Sequence, residues 1–208
     1  IISSVVTFEV NKKLVYQCNV VSNFTNFTLM LDGSVKTLHP KIHSGILYNR
    51  SNKKHTQEMK NQNFHPIDLV IINFYPFKET INKTKINSKI IENIDIGGPT
   101  MVRAAAKNFN DVTIITDKND YSELIQELKK NNGNTSLLFR EKMASKAFNL
   151  TSYYDSIISE WFNQKLGIKF PERKTFFGKK IEKLSYGENP HQNGSIYLSD
   201  LNKDSLDL

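Results

Sequence analysis

An acid, two glycines and a proline stand just ahead of a helix-forming run in Asp95-Ile96-Gly97-Gly98-Pro99-Thr100-Met101-Val102-Arg103-Ala104-Ala105-Ala106-Lys107-Asn108. Glycines let a backbone approach a ligand closely, and a proline suits a first helical turn. A helix N-terminus of this kind offers unpaired N–H groups and partial positive charge to an anion. Lys107 follows Thr100 by seven residues, close to two full turns, so both fall near one helix face. The same residues equally describe a glycine turn capping an alanine-rich packing helix.

A second cluster, Met30 to Leu47, sets two histidines and two lysines around a turn. Asp32-Gly33 and His39-Pro40 are turn signals on either side of Val35-Lys36-Thr37-Leu38. Pro40 biases His39 away from helix and opens a helix toward Leu47. His39 and His43 are four residues apart, a spacing that metal ligands use. No third ligand of suitable type stands nearby, which favours one structural histidine and a Lys36 that faces a pocket. The third cluster is Ile67 to Phe77, whose continuous apolar run predicts a strand buried on both faces. Asn73 and Tyr75 then fall at its carboxyl end, the edge where open parallel sheets bind ligands. A polar cap on a core strand explains them as well.

The elements that must position these groups alternate. Ile1-Ile2 reads as a strand end, Thr7 to Tyr16 as a short amphipathic helix with Phe8, Val10, Leu14 and Val15 apolar, and Asn19 to Val21 as a second strand. Asn49 to Phe64 is helix plus loop, Asp68 to Asn73 a buried strand, and Asn87 to Asn93 a helix that delivers Asp95 to the glycine turn. Asp111 to Thr116 is another core strand. Asp117 to Lys130 is a helix with Tyr121, Leu124, Ile125 and Leu128 on its packing face, ended by Asn132-Gly133. Ser136 to Lys165 is helical with at most one break, and Phe139, Met143, Ala147, Tyr153, Ile157, Ile158 and Trp161 fit its packing face. This alternation predicts an α/β domain with a mostly parallel sheet. We place that domain at residues 1–166, a linker at 167–180, and the start of a second domain at 181–208.

Composition narrows the function. The 208 residues carry a net charge of +7, yet only Arg50, Arg103, Arg140 and Arg173 are arginines. Scattered lysines suit the steering of phosphorylated small molecules better than a nucleic-acid surface, which gathers Lys and Arg beside exposed aromatics. Cys18 is the only cysteine, so no intrachain disulfide exists and a reduced, cytoplasmic setting is the default; the thiol itself reads as a small buried hydrophobe. No apolar run approaches 18 residues, and neither a signal peptide nor a membrane span is expected. The chain opens on Ile1, which suggests an incomplete amino terminus.

These clusters, with Ser185-Tyr186-Gly187-Glu188-Asn189-Pro190-His191-Gln192, closely resemble one family. It is the bifunctional purine-biosynthesis enzymes that join phosphoribosylaminoimidazolecarboxamide formyltransferase to IMP cyclohydrolase. The resemblance runs from about Ile1 to Tyr197. It implies a doubly wound sandwich like methylglyoxal synthase, a nucleotide substrate, a homodimer, and closure of the formylated aminoimidazole carboxamide ribotide to IMP with loss of water. It assigns catalysis to Lys36, Tyr75, Asp95 and Lys107. Substrate contacts fall on Thr37, Asn73, Gly97 and Gly98, on Ser3 and Thr7, and on Tyr186 near the ribotide of the second domain. No metal or organic cofactor is implied for ring closure. The formyltransferase half takes 10-formyltetrahydrofolate, and its own catalytic residues lie past Leu208.

Several positions depart from the family. Its opening strand and Ser/Lys loop, which help hold the nucleotide phosphate, are absent. Ser3-Ser4-Val5-Val6-Thr7 stands where the family has a Ser-Thr-Gly-Gly-Thr phosphate turn, and valine disfavours the positive φ angles of an anion nest. Ser34 and Ser185 each replace an arginine. A charge-assisted hydrogen bond to phosphate is worth on the order of 1.5–3 kcal/mol, so each loss weakens binding roughly 10- to 150-fold. Two other classes remain open on this reading. One is a non-catalytic nucleotide-binding module with an eroded phosphate site. The other is a nucleic-acid binder, which rests on charge alone.

Overall fold

The computed structural model describes residues 1–14, 16–28, 30–185, 189 and 191–198. The chain divides into two units, Ile1–Thr151 and Ser152–Leu208. The first unit holds β1 (Ile2–Ser3), α1 (Val5–Lys13), β2 (Asn19–Val20), α2 (Val21–Thr25), α3 (Pro40–Leu47), α4 (Lys53–Asn61), β3 (Leu69–Ile71), α5 (Phe77–Lys83), α6 (Asn87–Glu92), α7 (Gly97–Lys107), β4 (Thr113–Ile115) and α8 (Tyr121–Lys130). α9 (Leu137–Leu166) runs across the division, and β5 (Lys179–Leu184) and β6 (Gly194–Leu198) lie in the second unit.

β1 pairs with β2 and β3 with β4, both in parallel, and helices connect the strands, which is the expected α/β class. β5 and β6 form an antiparallel hairpin with a register shift between Lys180 and Glu182. In the second unit Tyr153 and Phe177 meet edge to face, with ring centroids 5.8 Å apart.

β4 is buried throughout, and its Ile114 and Ile115 share one core with Val102, Ala104, Ala105 and Ala106 of α7, Ile42 and Ile46 of α3, and Phe139, Met143, Ala144 and Ala147 of α9. The turn after α7 is tied down by Arg140, whose guanidinium donates to the carbonyls of Phe109 (2.7 Å) and Asn110 (2.8 Å) and to that of Thr135. Gly45 of α3 lies on the chain leading into β3, and its carbonyl accepts the Ile67 amide at 3.0 Å. A Cβ at this position would stand 2.7 Å from the His65 carbonyl oxygen. Gly45→Ala is therefore expected to destabilise by about 1–3 kcal/mol, as overpacking against backbone does. A urea midpoint equal to that of the parent would refute this contact.

Several local expectations are corrected. The first helix starts at Val5 rather than Thr7, because Ser4 is extended (φ −64, ψ 162) and releases the chain directly into helical geometry. It is not amphipathic in the expected sense, since Val10 and Leu14 are exposed. Val21 starts α2 instead of ending a strand, and is buried in the core. β3 is buried on one side only: Val70 faces the core, while Leu69 (38%) and Ile71 (48%) are exposed on a sheet two strands wide. On α8, Leu124 is buried and Leu128 packs against the core, but Tyr121 and Ile125 face outward. α9 is unbroken over thirty residues.

Candidate active site

The topology fixes which groups share an end of the sheet. α7 runs back along β3 and β4, and its C-terminal turn delivers the chain to the start of β4, where the Thr113 amide donates to the Asp68 carbonyl at 2.9 Å. The N-terminus of α7 therefore lies at the carboxyl ends of the strands. Asn73 and Tyr75, two and four residues past β3, are at that same end, and both are exposed.

The two clusters met first in the sequence touch here. A Cβ built on Gly97 would collide with Thr37 Oγ1, and one built on Gly98 would collide with the Asp95 carboxylate. Both glycines are buried, so these two positions need hydrogen for the close approach itself. Asp95 Oδ1 accepts the Gly98 amide at 2.9 Å. That bond is a helix cap, and it aims the carboxylate at the glycine turn. Pro99 has no N–H, and the Thr100 amide donates to the Ile96 carbonyl at 3.3 Å.

Lys36 and Thr37 are delivered by a tight loop. Leu31 and Asp32 take positive φ (50 and 51) ahead of Gly33 (φ 87), and successive turns close from the Gly33 carbonyl to the Lys36 amide (3.2 Å) and from Val35 to Leu38 (3.0 Å). Lys36 and Thr37 are half-buried. The Lys36 ammonium makes no salt bridge among the described residues.

α3 starts directly after this loop. His39 is extended, and its Nδ1 accepts the Lys41 amide at 3.1 Å, so the imidazole caps α3. His43 Nδ1 lies 3.3 Å from the His39 carbonyl. The structural reading of this histidine pair thus has a concrete form. Because α3 and α7 meet at Thr37 and Gly97, and again at the opposite end through Asn108, they run in the same direction. Their two positive N-terminal ends converge on one corner, a field that favours negative charge.

The remaining predicted residues fall elsewhere. Lys107 is the last residue of α7 and exposed; at 1.5 Å per residue it stands about 15 Å of helix from Gly97. Ser3 ends β1, with its Oγ 2.9 Å from Cys18 Sγ. Cys18 is therefore half-buried and hydrogen-bonded rather than a buried hydrophobe. Thr7 Oγ1 accepts from Ser4 Oγ at 3.2 Å. Val5 and Val6 are the first residues of α1, with no positive φ there, so the backbone adopts a helical start rather than a glycine nest. Tyr186, like Val15, lies outside the described residues. A cavity of about 240 Å³ opens away from this corner between α3 and α4, lined by Ser44, Leu47, His55, Glu58, Met59 and Phe64 among others. Sequence reasoning gave no role to Asn108; Pro40 marked the start of α3, but no local signal showed that this second helix N-terminus enters the site.

Comparison with known proteins gives this corner a context. The MGS-like domain model matches residues 1–100, and the model of the AICARFT/IMPCHase bienzyme matches residues 105–207. The chain belongs to the AICARFT/IMPCHase bienzyme family. Among members of this family, the bifunctional purine biosynthesis protein PurH of Bradyrhizobium diazoefficiens is 49% identical over 179 residues, covering 86% of this chain and 34% of that protein. The protein of the same name from Persephonella marina is 50% identical over 201 residues, covering 96% and 39%. The chain thus spans about a third to two-fifths of the length of these bienzymes. The crystal structure of ForH aligns with a TM-score of 0.67 at 28% identity, over 77% of this chain and 84% of that one. A family model described as a bienzyme does not favour the reading of a non-catalytic module. Among the described residues no helix is long and apolar enough to cross a membrane.

Proposed function

We propose that this chain catalyses the closing step of IMP formation, the cyclodehydration of formylated aminoimidazole carboxamide ribotide. The observation that carries the reading is the meeting of Thr37 with Gly97 beneath the Asp95 carboxylate, at the converging N-termini of α3 and α7. In the reaction the carboxamide nitrogen attacks the formyl carbon of the same molecule, and the resulting hydroxyl-bearing tetrahedral centre loses water. Holding the reactive rotamer supplies much of the catalysis, since well-oriented intramolecular reactions gain up to ~7–11 kcal/mol. What remains is proton movement and oxyanion stabilisation.

In this reading Asp95 and Lys36 move protons around the amide nitrogen. Tyr75 faces the oxygen on which charge develops, and Thr37, Asn73, Gly97 and Gly98 position the substrate. Lys107 belongs to the set by resemblance alone, since it ends α7, about 15 Å of helix from Gly97. Ring closure runs on these side chains and needs no metal or organic cofactor. Residues 1–166 form the cyclohydrolase part, 167–180 a linker, and 181–208 the opening of the formyltransferase part. A cytoplasmic homodimer that takes a small nucleotide and no nucleic acid completes the proposal. The test is absorbance at the purine band after mixing the chain with the formylated ribotide. IMP is expected to appear faster than in buffer, and a rate equal to the spontaneous one at saturating substrate would refute the activity.

A further inference from the structure

α3 and α7 are parallel neighbours pinned at both ends. At their N-terminal ends Thr37 Oγ1 lies against Gly97. At their C-terminal ends the Asn108 side-chain amide donates to the carbonyls of Ile46 (2.8 Å) and Tyr48 (3.1 Å). Between these pins α7 carries Ala104, Ala105 and Ala106, all buried. All three belong to the core that also holds Ile42 and Ile46 of α3.

The final carbonyls of a helix have no partner within it. In α3 the Ser44 carbonyl takes the Tyr48 amide and the Gly45 carbonyl takes the Ile67 amide; Asn108 supplies the donor for Ile46. Asn108 is itself held firmly. Its amide donates to the Ala104 and Ala105 carbonyls, and its own carbonyl accepts the Asp111 and Val112 amides. The clasp therefore links a fixed point on α7 to the last turn of α3, and the eight residues of α3 carry that constraint to the loop holding Lys36 and Thr37.

We propose that Asn108 is a positioning residue, whose side-chain amide sets the register of α3 against α7 and so holds Thr37 against Gly97 at the opposite ends of both helices. Displacing a reacting group by about 1 Å costs on the order of 10²-fold in rate, so a slip along the helix axis is felt in turnover. The turnover part of the test rests on the cyclisation reading; the hydrogen-exchange part does not.

Asn108→Asp keeps the size and removes the donor. It is compared with Asn131→Ala, which breaks the bonds from Asn131 to Glu127 in α8 without touching α3 or α7. Two readouts are taken: kcat against KM for IMP formation, and hydrogen exchange of the Gly98 amide that Asp95 holds. N108D is expected to lower kcat tenfold or more, change KM little and speed Gly98 exchange, while N131A leaves both near the parent. Asn108→His, which restores an N–H donor, is expected to recover part of each loss. If N108D does not fold, Asn108→Ser removes the same donor without adding charge. Gly98 exchange and kcat in the Asp or Ser variant no different from N131A would overturn the proposal. A parent that accelerates nothing refutes the cyclisation reading, and Gly98 exchange still decides the role of Asn108.

Discussion

Asp95→Asn is expected to remove most of the ring-closing activity and leave the fold in place. The side chain has two roles that this substitution separates. As a cap, one oxygen accepts the Gly98 amide, and asparagine offers the same carbonyl oxygen at the same reach. As a proton acceptor it needs the carboxylate, which asparagine lacks. A positioned acid or base contributes about 10²–10⁴-fold, so kcat is expected to fall by that range with little change in KM. Asp95→Ala loses the cap as well, which costs about 1 kcal/mol and lowers the urea midpoint. Full activity in D95N would reduce Asp95 to a cap, and the glycine turn would then be an ordinary helix start.

The second large effect is expected from Gly97→Ala. The added carbon would collide with Thr37 Oγ1. Thr37 is β-branched and stiff at χ1, so it cannot simply swing clear, and the loop carrying Lys36 must shift with it. Turnover is expected to drop about 10²-fold from misplacement while most of the fold energy is retained. The double variant G97A/T37A identifies the cause. With the hydroxyl and methyl of Thr37 gone, the alanine at position 97 has nothing to strike, so the two changes are expected to be strongly non-additive. Additive losses would mean that Gly97 acts through something other than Thr37.

The parts of the fold that repeat a local pattern were legible before any coordinates. α7 was readable from its glycine-proline start and alanine run, α6 from its boundaries, and β4 from the β-branched run Val112-Thr113-Ile114-Ile115, which is indeed buried. The parallel α/β class followed from alternation. What failed depended on neighbours. β3 and β4 look alike as sequences, yet Leu69 and Ile71 are exposed because burial of a strand is set by what packs on it, not by its own composition. The helix start at Val5 was missed because Ser4 caps through its backbone conformation without a side-chain hydrogen bond.

The site divides in the same way. Residue types and their order pointed to Asp95, Gly97, Gly98 and Thr37, but only the fold shows that Thr37 and Gly97 touch. Helical periodicity placed Lys107 on the same face as Thr100, yet periodicity carries no information on how far along the axis a ligand reaches. The second helix N-terminus was invisible as a partner because the contact joining α3 to α7 is long-range in sequence.

The most direct test is a titration of the isotopically labelled chain with IMP, followed at each backbone amide by NMR. Thr37, Gly97 and Gly98 are expected to shift together with a single affinity, because one ligand sits where α3 and α7 converge. If those three amides stay unmoved, or if the shifts gather instead on Ser44, His55 and Gln62 around the cavity between α3 and α4, the account of this corner as the nucleotide site is wrong.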